Sequence, residues 1–248
     1  MRSHDQAIQA QFDSKADAYL SSAVHAQGAD LAYASGLASG DAALDVGCGA
    51  GHLSFALATG FNRVIALDPS PGMREVVVQA ARARGLAQIE TCEGSAESLP
   101  FEDRAFDLVG TRFSAHHWRN LASGLREMRR VLRPGACLLA IDTLGHEDAL
   151  VDTHLQSIEL LRDPSHVRNR SASQWRGLLE AAGFSDVRLT QWSLRLDFAS
   201  WVERMRTPAS HVAVIRELQL GAAREIHEAL SLEADGSFSL QVGAFEAR

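Results

Sequence analysis

The sequence predicts an α/β fold, a doubly wound sheet with helices on both faces, and three observations carry that reading. Between residues 41 and 142 short β-rich runs alternate with helix-like segments, the pattern of parallel βαβ units. Several of those runs are apolar almost throughout, as strands covered on both faces must be. Glycine or proline closes the helical segments between them.

In chain order, two helical stretches come first, over roughly residues 4–20 and 24–38. The strands that follow are "AALDV" (42–46), "RVIALD" (63–68), "QIETCE" (88–93), "FDLVGT" (106–111) and "ACLLAID" (136–142). Between them, "AGHLSFALATG", "PGMREVVVQAARARG" and "LASGLREMRRVLRPG" repeat apolar residues at intervals of three and four, one face of a helix. Residues 147–162 read as a helix, "RDPSHVRNRS" as a loop, and "ASQWRGLLEAAGF" as a helix stopping at Gly183. A long strand, "DVRLTQWSLRL", helices over "FASWVERMRTP" and 209–231, and a closing strand, "GSFSLQVGAFEA", complete the chain. No repeat, low-complexity tract or linker interrupts it, so residues 1–248 read as one domain.

With 46% hydrophobic and 22% charged residues over 248 positions, the composition suits a single large core rather than a disordered or fibrous chain. A formal net charge of -7, with no Lys/Arg cluster interleaved with aromatics, disfavours a nucleic-acid partner. Cys48, Cys92 and Cys137 are too scattered for a disulfide framework or a zinc ribbon, which fits a reducing cytoplasm. The N-terminal "MRSHDQAIQAQF" has no apolar signal region and no later run is long enough to cross a bilayer, so neither secretion nor a membrane is expected.

The segment "LDVGCGAGHL" puts Gly47, Gly49 and Gly51 on the turn between the first strand and its helix, where the backbone turns tightly and a ligand comes close. Asp68 ends the second strand, placed for a ribose diol. Together they point to an adenosine-containing ligand. A dinucleotide site wants G-x-G-x-x-G, but His52 stands where the third glycine would be. Asp45, just before the loop, suits a ligand whose near end is cationic, such as the amino group of S-adenosylmethionine, and is awkward beside a pyrophosphate.

"ALDVGCGAG", "VIALDPSPGM", "EGSAESLPFEDRAFDLV" and "EMRRVLRPGACLLAID" follow one another in the order and spacing of the class I S-adenosylmethionine-dependent methyltransferases. The chain resembles most the small bacterial branch that includes ubiquinone/menaquinone C-methyltransferase-like proteins, over about residues 40–145. The resemblance implies a Rossmann-like seven-stranded sheet of order 3-2-1-4-5-7-6 with its last-formed strand antiparallel. It divides the domain into an N-terminal helical lid (1–40), a cofactor-binding core (41–145) and an acceptor-side cap with the C-terminal strands (146–248). It implies S-adenosyl-L-methionine as cofactor, with Asp45, Gly47, Gly49 and Gly51 at its methionine end, Asp68 on the ribose and Met73 near the adenine. Where the family usually has Asp or Asn to reach the adenine amino group, this chain has the shorter Ser95, and the backbone at Ala96 and Glu97 can still read that edge. Phe12 and Tyr19 match aromatic positions of the lid, Tyr19 toward the methionine carboxylate.

A sulfonium methyl is already electrophilic, so such a protein supplies geometry and excludes water, and adds a base only for an acidic acceptor. The acceptor site should lie beyond the carboxyl ends of strands four and five, where Arg112, His116 and His117 fall. Arg112 is a candidate for both the cofactor and the acceptor. For the histidines the alternatives are a base, a cap of the next helix near Asn120, or packing with Trp118. No metal is expected: neighbouring side chains diverge on a strand or helix, no HExxH occurs, and Asp142 lacks acidic partners for a catechol-type metal site. His25, on the lid, and His166, in the polar loop with Arg162, Asp163 and Arg168, are further candidates, each against a solvated-surface reading. If that loop lines the acceptor pocket, its arginines favour an anionic or carbonyl-bearing acceptor. The function expected is methyl transfer to a small-molecule acceptor by a monomer or homodimer; a nicotinamide-dependent oxidoreductase and a non-catalytic S-adenosylmethionine-binding module are the alternatives.

Overall fold

Apolar runs that need cover on both faces fold into a central sheet. A computed structural model describes residues 3–12, 20 and 28–248. The strands are β1 (Gly40–Val46), β2 (Phe61–Leu67), β3 (Ile89–Cys92), β4 (Phe106–Arg112), β5 (Leu132–Thr143), β6 (Arg188–Leu196) and β7 (Phe238–Ala247). They form one sheet in the order β3-β2-β1-β4-β5-β7-β6, the expected Rossmann-like order. β1 to β5 pair in parallel, and β7 runs antiparallel between β5 and β6.

The described helices are α1 (His4–Phe12), α2 (Ala29–Leu37), α3 (His52–Leu57), α4 (Pro71–Ala83), α5 (Leu121–Val131), α6 (Ala149–Arg162), α7 (Ala172–Ala181), α8 (Phe198–Arg204), α9 (Ala209–Leu220) and α10 (Arg224–Leu230). None of them is long and apolar enough to cross a membrane. Alternate residues of β1 serve opposite faces: Leu44 and Val46 pack with Trp118, Leu125 and Met128, while Ala43 packs with Leu53 and Leu57. A third cluster, with Ile158, Trp201, Ile215 and Phe238 at its centre, joins α6 and α8–α10 to the start of β7. This cap stands over the carboxyl ends of β4 and β5.

Several boundaries differ from the sequence reading, each for a local reason. The helix expected over 121–135 stops at Val131, because Pro134 cannot continue it, and Leu132 already pairs with Phe106. The helix expected over 209–231 is two helices parted at Gly221, so that Ile215 and Ile226 both reach the cap core. The helix ending near Gly183 is as expected, with that glycine at φ +89°. Tyr19 and His25 lie outside the described residues.

Candidate active site

The sheet reverses its order between β1 and β4, and a cavity of about 420 Å³ opens at their carboxyl ends. It runs from the glycine turn outward beneath the cap.

At the inner end, Gly47, Gly49 and Gly51 all take positive φ (+70°, +51° and +86°). A Cβ at Gly47 would meet Ser114 Oγ at 2.0 Å, and one at Gly51 would press on Phe55 and Val77, so both are close approaches within the protein. Gly49 faces open space, and Gly47 and Gly49 line the cavity while Gly51 starts α3 behind it. Asp45 is buried; Ser54 Oγ donates to its Oδ2 at 2.6 Å, and its Oδ1 has no hydrogen-bond partner among the described residues. Burial raises the Asp45 carboxyl to about 7. Arg112, at the end of β4, pairs through Nε with Asp30 of α2, both side chains being buried, yet its Nη2 likewise has no partner among the described residues. An acceptor and a donor are therefore left unsatisfied on one cavity wall, a pair of opposite character that a ligand with an ammonium and a carboxylate fits.

Farther along, Asp68 lines the cavity just beyond β2, its carboxylate accepting the N–H groups of Gly49 and Ser70, each at 2.9 Å. Ser70 caps α4 by accepting from Met73 N–H, which fixes the buried Met73 side chain beside Ala50 and Phe12. Ser95 Oγ donates to Glu97 at 2.5 Å and Glu97 accepts from Asn120 N–H, so these two side chains hold the turn around Ala96. α1 crosses the cavity mouth: His4 Nε2 donates to the His117 carbonyl, Gln9 to the Pro69 carbonyl, and the Phe12 ring meets the His117 ring edge-on at 5.1 Å.

The histidines lie on a single 3₁₀ turn, Ala115–His117, rather than on a strand or α-helix. Their rings therefore do not diverge as expected but sit 4.2 Å apart. Neither caps α5; Asn120 does so itself, accepting from Ser123 N–H. Trp118 packs in the core and donates to Ser114 Oγ, with one edge on the cavity. His116 Nδ1 donates to Asp142 Oδ1 at 2.6 Å, and His116 N–H to Asp142 Oδ2 at 3.1 Å. Burial lowers the His116 pKa, but the Asp142 carboxylate outweighs it and leaves it above 6.5. His117 Nδ1 donates to the Ser165 carbonyl at 3.1 Å; burial and the neighbouring His116 bring it down to about 4. Asp142 is thus occupied by two donors from His116 and a third from Thr143 N–H. Among the described residues no group of three or more His, Cys, Asp or Glu side chains is arranged to hold a metal.

The polar loop is not a solvated turn. Asp163, Ser165, His166 and Asn169 are 1–7% exposed. Val167 and Arg168 N–H both donate to the His116 carbonyl, and His166 Nε2 donates to Gln156. His166 stands behind His116, ring centroids 5.7 Å apart, and does not line the cavity. Arg168 turns away to Asp152, so of the three loop arginines only Arg162 faces the cavity, with Glu159 at 3.7 Å.

Sequence reasoning missed Asp30, Glu159, Asn169 and Trp201, whose places depend on distant packing. It weighed Asp142 only for metal, although a strand-end acid is the signal that marked Asp68.

The Methyltransferase domain family model matches residues 44–140. The chain is 43% identical over 192 residues to the uncharacterized protein YafE of Escherichia coli K12, which is 77% of this chain and 93% of that protein. It is 34% identical over 201 residues to the uncharacterized methyltransferase YcgJ of Bacillus subtilis, 80% of this chain and 79% of that one. The crystal structure of YcgJ superposes with a TM-score of 0.83 at 30% identity, covering 90% of this chain and 97% of the other. Over 107 residues, 42% of this chain and 45% of the relative, it is 37% identical to a demethylmenaquinone methyltransferase of Bacillus cereus. Likeness of this extent, in sequence and in three dimensions, places the chain in one family: it belongs to the class I S-adenosylmethionine-dependent methyltransferases.

Proposed function

We propose that this methyltransferase transfers the methyl group of S-adenosyl-L-methionine to a small-molecule acceptor held under the cap. One observation carries the reading: the unsatisfied Asp45 Oδ1 and Arg112 Nη2 share a cavity wall with the open glycine turn. Asp45 takes the amino group and Arg112 the carboxylate of the methionine end, with Tyr19 of the lid as a further partner for that carboxylate. Gly47 and Gly49 let the ligand approach the main chain, and Gly51 shapes the turn. Asp68 keeps acceptor capacity for the ribose hydroxyls, Met73 packs on the adenine, and the main chain of Ser95, Ala96 and Glu97 reads its edge. The bound cofactor supplies an electrophilic methyl group; the protein orients the acceptor against it and excludes water. His116 and His117 flank the acceptor, and His166 backs them.

Differential scanning fluorimetry with S-adenosylhomocysteine, S-adenosylmethionine and NAD(H) tests this. Stabilisation by the two sulfur compounds is expected; stabilisation by NAD(H) alone would return the chain to the oxidoreductase reading. Turnover of any small molecule with labelled S-adenosylmethionine excludes a purely binding module. Asp68→Ala is expected to weaken S-adenosylhomocysteine at least tenfold, about 1.4 kcal/mol, and unchanged affinity would refute the ribose assignment.

A further inference from the structure

Two adjacent histidines face one cavity, and their hydrogen bonds set them apart. His117 gives its Nδ1 proton to a carbonyl, and the nearest acid, Asp163, reaches that ring only through Ser165 Oγ and makes no direct bond to it. His116 is committed at every polar atom but one. Its N–H and Nδ1 are held by the two oxygens of Asp142, and its carbonyl receives Val167 and Arg168 N–H. Only Nε2 makes no hydrogen bond among the described residues, and the residue lines the cavity. A residue fixed at three atoms, with a carboxylate behind its ring and one ring nitrogen left unbonded among the described residues, is the arrangement a proton acceptor needs.

The outer half of the cavity narrows the acceptor. Leu194, Leu196, Trp201 and Leu240 form its apolar wall. Glu159 and Asp163 are matched there by Arg162 and Arg204, so no net formal charge selects an ion. A carboxylate acceptor needs no base and would meet Glu159 and Asp163. A cationic acceptor would want the Trp201 face, which the Arg162 guanidinium already covers at 4.9 Å from the ring centre. An aliphatic alcohol holds its proton too tightly for an imidazole.

Resting on the methyl-transfer reading, we propose that His116, oriented by Asp142, is the catalytic base, and that the acceptor is an uncharged, largely apolar molecule bearing a phenolic or enolic hydroxyl. The hydroxyl passes its proton to His116 Nε2. Its oxygen forms a bond to the methyl carbon as the carbon–sulfur bond breaks, the electron pair of that bond going to sulfur. The imidazolium then returns the proton to solvent. Asp142 is a positioning residue that holds the tautomer and steadies the imidazolium.

The test uses 4-nitrophenol as probe, its ionisation followed by absorbance on the protein saturated with S-adenosylhomocysteine. In the wild type the bound probe is expected to ionise at about tenfold higher proton concentration than free probe, one unit of apparent pKa. Asp142→Asn should reduce that shift and His116→Gln abolish it, with S-adenosylhomocysteine affinity in both variants within about threefold of wild type, about 0.7 kcal/mol. A long-range ¹H–¹⁵N spectrum of the unsubstituted protein gives a second readout that needs no variant: His116 should carry its proton on Nδ1 when neutral, and Nε2 should titrate. Intact S-adenosylhomocysteine binding with no probe shift, a shift that survives His116→Gln, or a His116 protonated on Nε2 when neutral overturns this proposal alone. Failure of the wild type to bind S-adenosylhomocysteine overturns the methyl-transfer reading and this proposal with it.

Discussion

Replacing Asp45 by Asn removes a buried charge whose second oxygen has no donor among the described residues, while keeping an oxygen for Ser54. Burial raises this carboxyl from 3.8 to about 7, so the folded protein keeps a proton that the unfolded chain has already released. A raised carboxyl binds more protons folded than unfolded; its contribution favours the fold at low pH and is lost as pH rises from about 4 through 7. The full difference is about 4 kcal/mol at alkaline pH, and the part that develops between about pH 5.5 and about pH 8.5 is roughly 2 kcal/mol. Urea unfolding of the ligand-free wild type and Asp45→Asn at those two values measures it, and the histidines cancel in the comparison. The variant should gain about 2 kcal/mol on the wild type across the interval; parallel curves would show that Asp45 is not raised. The same proton reports on the ligand. At pH 7 Asp45 is near half-protonated, so binding S-adenosylhomocysteine, whose amino group favours the carboxylate, should release about half a proton. Calorimetry in two buffers of different ionisation enthalpy detects it. A binding heat independent of buffer in the wild type would remove the amino group from Asp45.

Other substitutions test the surroundings. Burial and the neighbouring His116 and His117 bring His166 down to about 2, and His117 is lowered to about 4. Such histidines bind fewer protons folded than unfolded, so stability is full above the ordinary value of 6.5 and is lost as pH falls below it, by up to about 1.4 kcal/mol per pH unit for each. His116 works in the opposite sense: its raised value favours the fold below 6.5, and that gain goes as pH rises through its folded pKa. His166→Gln should therefore make the acid side of the urea-stability profile shallower by about 1.4 kcal/mol per unit, and an unchanged slope would contradict its burial as a neutral ring. Asp30→Ala strands the buried Arg112 charge and should cost about 3–5 kcal/mol, lowering the melting temperature by roughly 10 °C. A change under about 2 °C would mean that the pair contributes little.

The core of the fold is legible because its signals are local. "AALDV" and "FDLVGT" need only be apolar to be strands, and glycines at 47, 49 and 51 announce positive φ without reference to anything distant. The candidate site is legible only where it sits on those signals. His116 and Asp142 lie 26 residues apart, and nothing near either one announces the other. Their meeting follows from the register Arg112↔Ile141, which sets the chain leaving β4 beside the chain leaving β5. "RDPSHVRNRS" reads as polar surface because its composition is polar; its partners, Gln156, Thr143 and the His116 carbonyl, lie 10–52 residues away and bury it. The split at Gly221 was hidden by the same limit, since helical periodicity persists across it while the axis turns to serve the cap core.

The two amide hydrogens that Val167 and Arg168 give to the His116 carbonyl tie the loop and the imidazole into one mechanical unit. Displacing that loop would break both bonds and leave the turn that carries His116 held at its side chain and amide by Asp142 alone. The deuterium-uptake rates of those two amides therefore report how often the loop parts from the turn that carries His116.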